Sequence, residues 1–158
     1  MPYWSVLWRS GVALGRELAS APERVAGRRV VELGCGLGVP SLVAARAGAW
    51  VLATDEEPEA LDLLRTNATA NGVEVATACV EWSAPGELLA CAPFDLVLAA
   101  DVLYERSSVA LLLDLLPRLA DEALIADPGR PGAEAFLEQL PPTETSIRDG
   151  ISVHRLGF

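Results

Sequence analysis

"RVVELGCGLGVP", residues 29–40, decides how the rest of the chain is read. A short run of strand-forming residues feeds glycines at positions 34, 36 and 38, and a helix-compatible stretch follows. In an open parallel sheet, such a turn sits where ligands bind, beyond the carboxyl end of the strand and at a helix N-terminus. The dinucleotide fingerprint GxGxxG needs its third glycine one residue later, where Val39 stands. That shift counts against NAD. No GK[ST] follows, so a phosphate-binding P-loop is excluded.

Outward from this turn, strand and helix patterns alternate. "WVLATD" (50–55), "VEVATACV" (73–80), "FDLVLAAD" (94–101) and "EALIAD" (122–127) read as further strands. Helices are expected over 11–20 with Ser10 as its cap, then over 39–49, 57–72, 106–120 and 131–140. Pro85 and Gly86 allow at most a short helix in 83–92. Asp149-Gly150 between two strand-like runs predicts a terminal hairpin. The whole chain, 1–158, is expected to form one α/β domain, with residues 1–28 a helical N-terminal segment. Its sheet should be doubly wound and mostly parallel, with seven strands ending in an antiparallel hairpin.

The chain has 158 residues, 12 Lys plus Arg against 22 Asp plus Glu, and a net charge of −10. Such a balance repels phosphate backbones, so nucleic acid is not the expected partner. Cys35, Cys79 and Cys91 form no CxxC pair, which suggests neither a disulfide framework nor a zinc site. The N-terminus lacks the pattern of a secretory signal, and no apolar run approaches the roughly 18 residues of a membrane span. A soluble cytoplasmic protein is expected. His154 is the single histidine and has no serine or cysteine elbow to serve, so hydrolase triads are excluded.

Carboxylates and aromatic residues cluster at the predicted strand ends. Asp55 closes the second strand, where a carboxylate can accept both hydroxyls of a ribose. Glu81 and Trp82 close the third, where an acid could take an adenine amino group and an indole could cover the ring. One extended adenosine ligand laid across three strand ends fits this spacing. Asp55 could instead cap helix 57–72, and Trp82 could simply fill space.

"VELGCGLG" followed by "ATD", "FDLVLAAD" and a closing hairpin resembles the seven-strand, Rossmann-like, S-adenosylmethionine-dependent methyltransferases. Within that class, "PYWSVLWRSGVAL" (2–14), "DVLY" (101–104) and "DPGRP" (127–131) resemble the family 16 protein-lysine methyltransferases. The nearest likeness is to the branch that modifies the β subunit of electron transfer flavoprotein. By that resemblance, Gly34, Gly36 and Gly38 would approach the methionine part of S-adenosyl-L-methionine. Asp55 would hold the ribose, Glu81 or Trp82 the adenine, Cys35 and Ala100 would also bind the cofactor, and Trp8 would close over it. Asp101 and Tyr104 would be catalytic. No metal is implied.

A lysine amine with a pKa near 10.4 is protonated at neutral pH, and freeing its lone pair costs roughly 4–5 kcal/mol. A carboxylate would raise that pKa further, so Asp101 is expected to orient the amine and not to act as a strong base. Tyr104 could offer a π face to the cationic centres, worth about 0.5–2 kcal/mol. Asp127 and Arg130 could contact a docking protein. Some 28 residues ahead of the first strand give little material for a lid, which favours a large substrate over a small one. A small-molecule or ribosomal-protein N-methyltransferase and a non-catalytic cofactor-binding module are the alternatives.

Overall fold

Seven strands alternate with six helices. The strands are β1 (Arg29–Leu33), β2 (Trp50–Asp55), β3 (Ala76–Cys79), β4 (Leu96–Ala100), β5 (Glu122–Asp127), β6 (Glu144–Arg148) and β7 (Ile151–Gly157). The helices are α1 (Arg9–Ser20), α2 (Val39–Arg46), α3 (Pro58–Ala70), α4 (Gly86–Ala90), α5 (Arg106–Leu119) and α6 (Pro131–Gln139). The computed structural model describes residues 2–158. Its single sheet runs β3-β2-β1-β4-β5-β7-β6, parallel from β3 to β5, with β7 antiparallel to both β5 and β6. Chain order reverses between β1 and β4, which opens the crevice in front of them.

Both faces of the sheet are covered, so the central strands are apolar throughout and not merely alternating. One face buries Val31, Leu33, Val97, Ala99 and Ile125 beneath α5 and α6, with Leu112, Leu116 and Phe136 fully enclosed. The other buries Val30, Val51, Leu96, Leu98 and Leu124 beneath α1 and α2. Ala53 meets Leu61 and Leu64 of α3 on this same face. Each fully buried leucine side chain contributes on the order of 1.5–3 kcal/mol.

Three expectations shift. Ser10 does not cap α1: Val12 N–H already donates to Trp8 O, so the helix starts two residues earlier than a Ser10 cap requires. Ser10 is consequently turned inward, with its buried hydroxyl unpartnered. The third strand shrinks to four residues, because β2 offers partners only from Leu52 to Asp55. Helix α2 stops at Arg46, two residues before Gly48. The hairpin forms as expected, with Asp149 and Gly150 both at positive φ (52° and 78°), the geometry its tight turn requires.

Candidate functional site

Beyond the carboxyl ends of β1, β2 and β4 lies a cleft of about 890 Å³. That volume suits a nucleoside-sized ligand with an extended tail. All eleven residues singled out from the sequence line it: Trp8, Gly34, Cys35, Gly36, Gly38, Asp55, Glu81, Trp82, Ala100, Asp101 and Tyr104. The topology brings them together because strand ends in register carry their loops to one edge. Leu33, Thr54 and Ala99 are neighbours across β1, β2 and β4.

The glycine turn is built from three positive-φ residues, and Gly38 among them has no alternative. At φ 73°, a Cβ there would stand 2.0 Å from Leu64 Cδ1, so α3 packs directly on the turn. Asp55, mostly buried, ties that turn to the end of β2. Its Oδ2 accepts from Gly36 N–H at 2.9 Å, and its Oδ1 accepts from Glu57 N–H at 3.1 Å just ahead of α3. Asp55 thus closes a turn before α3 without capping it, Glu57 being the N-cap, and each carboxylate oxygen keeps a second lone pair for a ligand. The Cys35 N–H is taken by Thr54 O, and burial pushes its thiol up. Trp82 is half-buried against the core, whereas Glu81 is exposed.

The opposite wall is aromatic. Residues Tyr3–Ser5 form a 3-10 turn at the cleft mouth, and Trp8 precedes α1. The Tyr3 ring lies 4.6 Å from that of Trp8 and 5.5 Å from that of Tyr104, and Trp8 Nε1 donates to Tyr3 O. The short N-terminal segment, expected to give little material for a lid, thus supplies a cover, with Trp8 where the resemblance implied it and Tyr3 added beside it. Its aromatic side chains reach further than its length suggests. Burial raises the Tyr104 phenol, followed in effect by the nearby Glu105 carboxylate.

Asp101 takes positive φ (59°), unusual for a non-glycine residue, and its N–H donates to Ala126 O. Its carboxylate does not stand free. Arg130 grips it with Nε on Oδ1 at 2.6 Å and Nη2 on Oδ2 at 3.0 Å, while the guanidinium lies 5.9 Å from the Trp8 ring centroid. Asp127 is a correction: it is buried and takes the Gly129 and Arg130 N–H groups on Oδ2, so it shapes its own loop and offers nothing to a docking partner. His154 lies outside the cleft, bonded to Thr145. Burial lowers its pKa.

Several cleft residues escaped the sequence reading, among them Tyr3, Glu56, Glu57 and Glu105, and above all Glu32. Glu32, in the middle of β1, lines the cleft floor and is buried, accepting from the N–H of Ser41 at 3.0 Å and from its hydroxyl. Burial lifts its carboxyl to about 8. The signal was a lone acid inside an otherwise apolar strand, two residues before the glycines. With it, the cleft lining holds seven acids: Glu32, Asp55, Glu56, Glu57, Glu81, Asp101 and Glu105. It holds no arginine, lysine or histidine. Such a lining favours a cationic occupant.

Among the described residues, no group of His, Cys, Asp and Glu could hold a metal ion, and no helix is long and apolar enough to cross a membrane. All three cysteines are free.

The fold is that of the Rossmann-like methyltransferases. The T. thermophilus 16S rRNA N2 G1207 methyltransferase, solved with AdoMet and guanosine, superposes with a TM-score of 0.77 at 20% identity over 96% of this chain and 43% of its own. The ribosomal protein L11 methylase of Lactobacillus delbrueckii gives 0.66 at 23% identity, over 90% of this chain and 77% of its own. The lysine methyltransferase family profile matches residues 4–138, and the chain belongs to that family. The electron transfer flavoprotein beta subunit lysine methyltransferase of Xenopus laevis is 36% identical over 99% of this chain and 66% of its own length. The Danio rerio protein N-lysine methyltransferase METTL21A is 36% identical over 73% of this chain and 55% of its own. The chain spans about half to two thirds of the length of these curated relatives.

Proposed function

We propose that this protein is an S-adenosylmethionine-dependent protein-lysine N-methyltransferase whose substrate is the electron transfer flavoprotein β subunit. The observation that carries the reading is the cleft itself: its lining, at the switch point of the sheet, holds seven acids and no base, with Arg130 outside it bonded to Asp101. A sulfonium cofactor and a lysine amine are both cationic, and both gain from that field. The residues present fit the cofactor by donor chemistry. Asp55 retains lone pairs for a ribose, Glu81 and Trp82 flank the place of the adenine, and Gly34, Cys35, Gly36, Gly38 and Ala100 give close backbone approach. When bound, S-adenosylmethionine supplies an electrophilic methyl carbon.

What the chain adds is alignment, dryness and control of the amine. Trp8 with Tyr3 and Tyr104 closes the mouth, which strengthens electrostatic interactions inside. Asp101 accepts a hydrogen bond from the substrate amine and points its remaining lone pair inward. Tyr104 presents its ring or hydroxyl to the same nitrogen. The substrate ammonium would give its proton to solvent before the mouth closes, and the neutral nitrogen would bond the methyl as the methyl–sulfur bond breaks, leaving S-adenosylhomocysteine.

The substrate assignment draws on the relatives named for this flavoprotein subunit, which are 31–36% identical over 82–99% of this chain. Mixing the two purified proteins with methyl-labelled cofactor and mapping the product by mass spectrometry tests it. Methyl groups on lysine side chains of the β subunit are expected. All 12 basic residues here are arginine, so lysine-borne label cannot come from these 158 residues. Methylation of a ribosomal protein or a small amine, with the β subunit untouched, would refute the substrate assignment and leave the cofactor assignment standing.

A further inference from the structure

Apart from Glu32, whose carboxyl burial keeps protonated at neutral pH, the six acids of the cleft lining attract a lysine and also work against its reaction. Each favours the charged ammonium, whose nitrogen has no lone pair to donate. Asp101 is the most pointed case, because its carboxylate would contact the amine directly. Yet Asp101 alone in this ring of acids is paired to a guanidinium, by two hydrogen bonds, with its own carboxylate buried and the arginine side chain partly exposed.

The backbone that carries that guanidinium is held in place by both loops. Arg130 N–H is held by Asp127 Oδ2, immediately before α6. Two residues on, Gly132 packs so closely on the "DVLY" loop that a Cβ would meet Leu103 O at 2.5 Å. Asp101 N–H is bonded to Ala126 O on β5. The two loops are thus locked as one unit, and Arg130 also lines a second cavity, of about 330 Å³, that shares Trp8 and Asp101 with the main cleft. Trp8 stands on the far side of the guanidinium.

We propose that Arg130 is a positioning residue that cancels the charge of Asp101, so that a lysine amine reaching Asp101 is oriented by its carboxylate without being held as ammonium. Resting on the methyltransferase reading, this names how the site controls its acceptor. The groups facing the amine are the carboxylates of Asp55, Glu56, Glu105 and Asp101, the phenols of Tyr3 and Tyr104, and Arg130, with Asp127 behind the guanidinium. Arg130 is the cation bonded to Asp101; Arg9, which lines the second cavity with both, is turned away to donate to Asp149 O at 2.7 Å. Its two donors occupy one lone pair of each Asp101 oxygen and leave the other for the amine. The proton lost by the ammonium passes to solvent.

The test is the pH dependence of kcat on the flavoprotein β subunit at saturating cofactor, read as methylated substrate by mass spectrometry. Arg130→Gln should move the alkaline-rising limb upward by about one pH unit or more. Arg130→Lys, which keeps the charge, should restore the parent limb. Reading the substrate and not total label matters there, because that variant carries the one lysine within these residues. The pair Asp101→Asn with Arg130→Gln removes both charges, leaves no uncompensated ion, and should also return the limb to the parent position, even if Arg130→Gln alone cannot hold the loop. S-adenosylhomocysteine affinity, measured calorimetrically, should stay within a few fold in all three. An unshifted limb in folded, ligand-binding Arg130→Gln overturns the proposal alone, as does a limb in the double variant that is displaced from the parent. Absence of any transfer by the parent protein overturns the methyltransferase reading, and the role of Arg130 with it.

Discussion

Glu32 and Ser41 are joined beneath the glycine turn: both the backbone N–H and the hydroxyl of Ser41 donate to one carboxylate oxygen of Glu32. The two donors lower the carboxyl pKa, but burial outweighs them and lifts it from 4.5 to about 8. The folded chain therefore keeps a proton that the unfolded chain has already lost between those values. Stability from this group is fully present below about pH 4.5, declines as pH rises, and is gone above about 8. Glu32→Gln keeps an acceptor for Ser41 and cannot ionise. Denaturant unfolding of both proteins at pH 5 and 8.5 should show the variant gaining roughly 3–5 kcal/mol on the parent between the two conditions. Parallel pH dependences would show that Glu32 titrates normally.

Gly38 and Leu64 give a stability prediction that involves no ligand. Gly38→Ala forces a methyl into Leu64 and holds an L-residue at positive φ, and these costs together are about 2–4 kcal/mol. Combining it with Leu64→Ala should recover part of the loss by relieving the overlap. Thermal melts of the two single variants and the pair measure this coupling. Strict additivity would mean that α3 does not rest on the turn.

Asp55 and Asp101 sit in the same cleft with different expected roles, so their variants should fail differently. Asp55→Ala should weaken S-adenosylhomocysteine binding by about 1–3 kcal/mol through lost charge-assisted hydrogen bonds. Asp101→Ala and Tyr104→Phe should cut turnover on the protein substrate while leaving that affinity within a few fold. Calorimetry beside single-turnover rates separates the two. Equal loss of ligand affinity in Asp55→Ala and Asp101→Ala would remove the distinction between cofactor-holding and amine-orienting carboxylates.

The sequence by itself determined the sheet, the glycine turn and the residues that mark the ends of β1 to β4 around the cleft. Those signals are local: apolar runs of strand length, glycines at 34, 36 and 38, and the Asp149-Gly150 hairpin each express a backbone preference that neighbours along the chain enforce. The start of α1 was misread because Ser10 carries a capping side chain, while the helix in fact follows where Trp8 O finds its donor. Tertiary structure alone decided three things. It set Arg130, 29 residues from Asp101 in the chain, onto that carboxylate. It also turned Asp127 inward, and it laid Tyr3 and Trp8 over the mouth of the cleft. A charge pair or an aromatic cover between distant segments leaves no periodicity in either one. Its energy exists only once the sheet has brought β4, β5 and the N-terminal segment to a common edge.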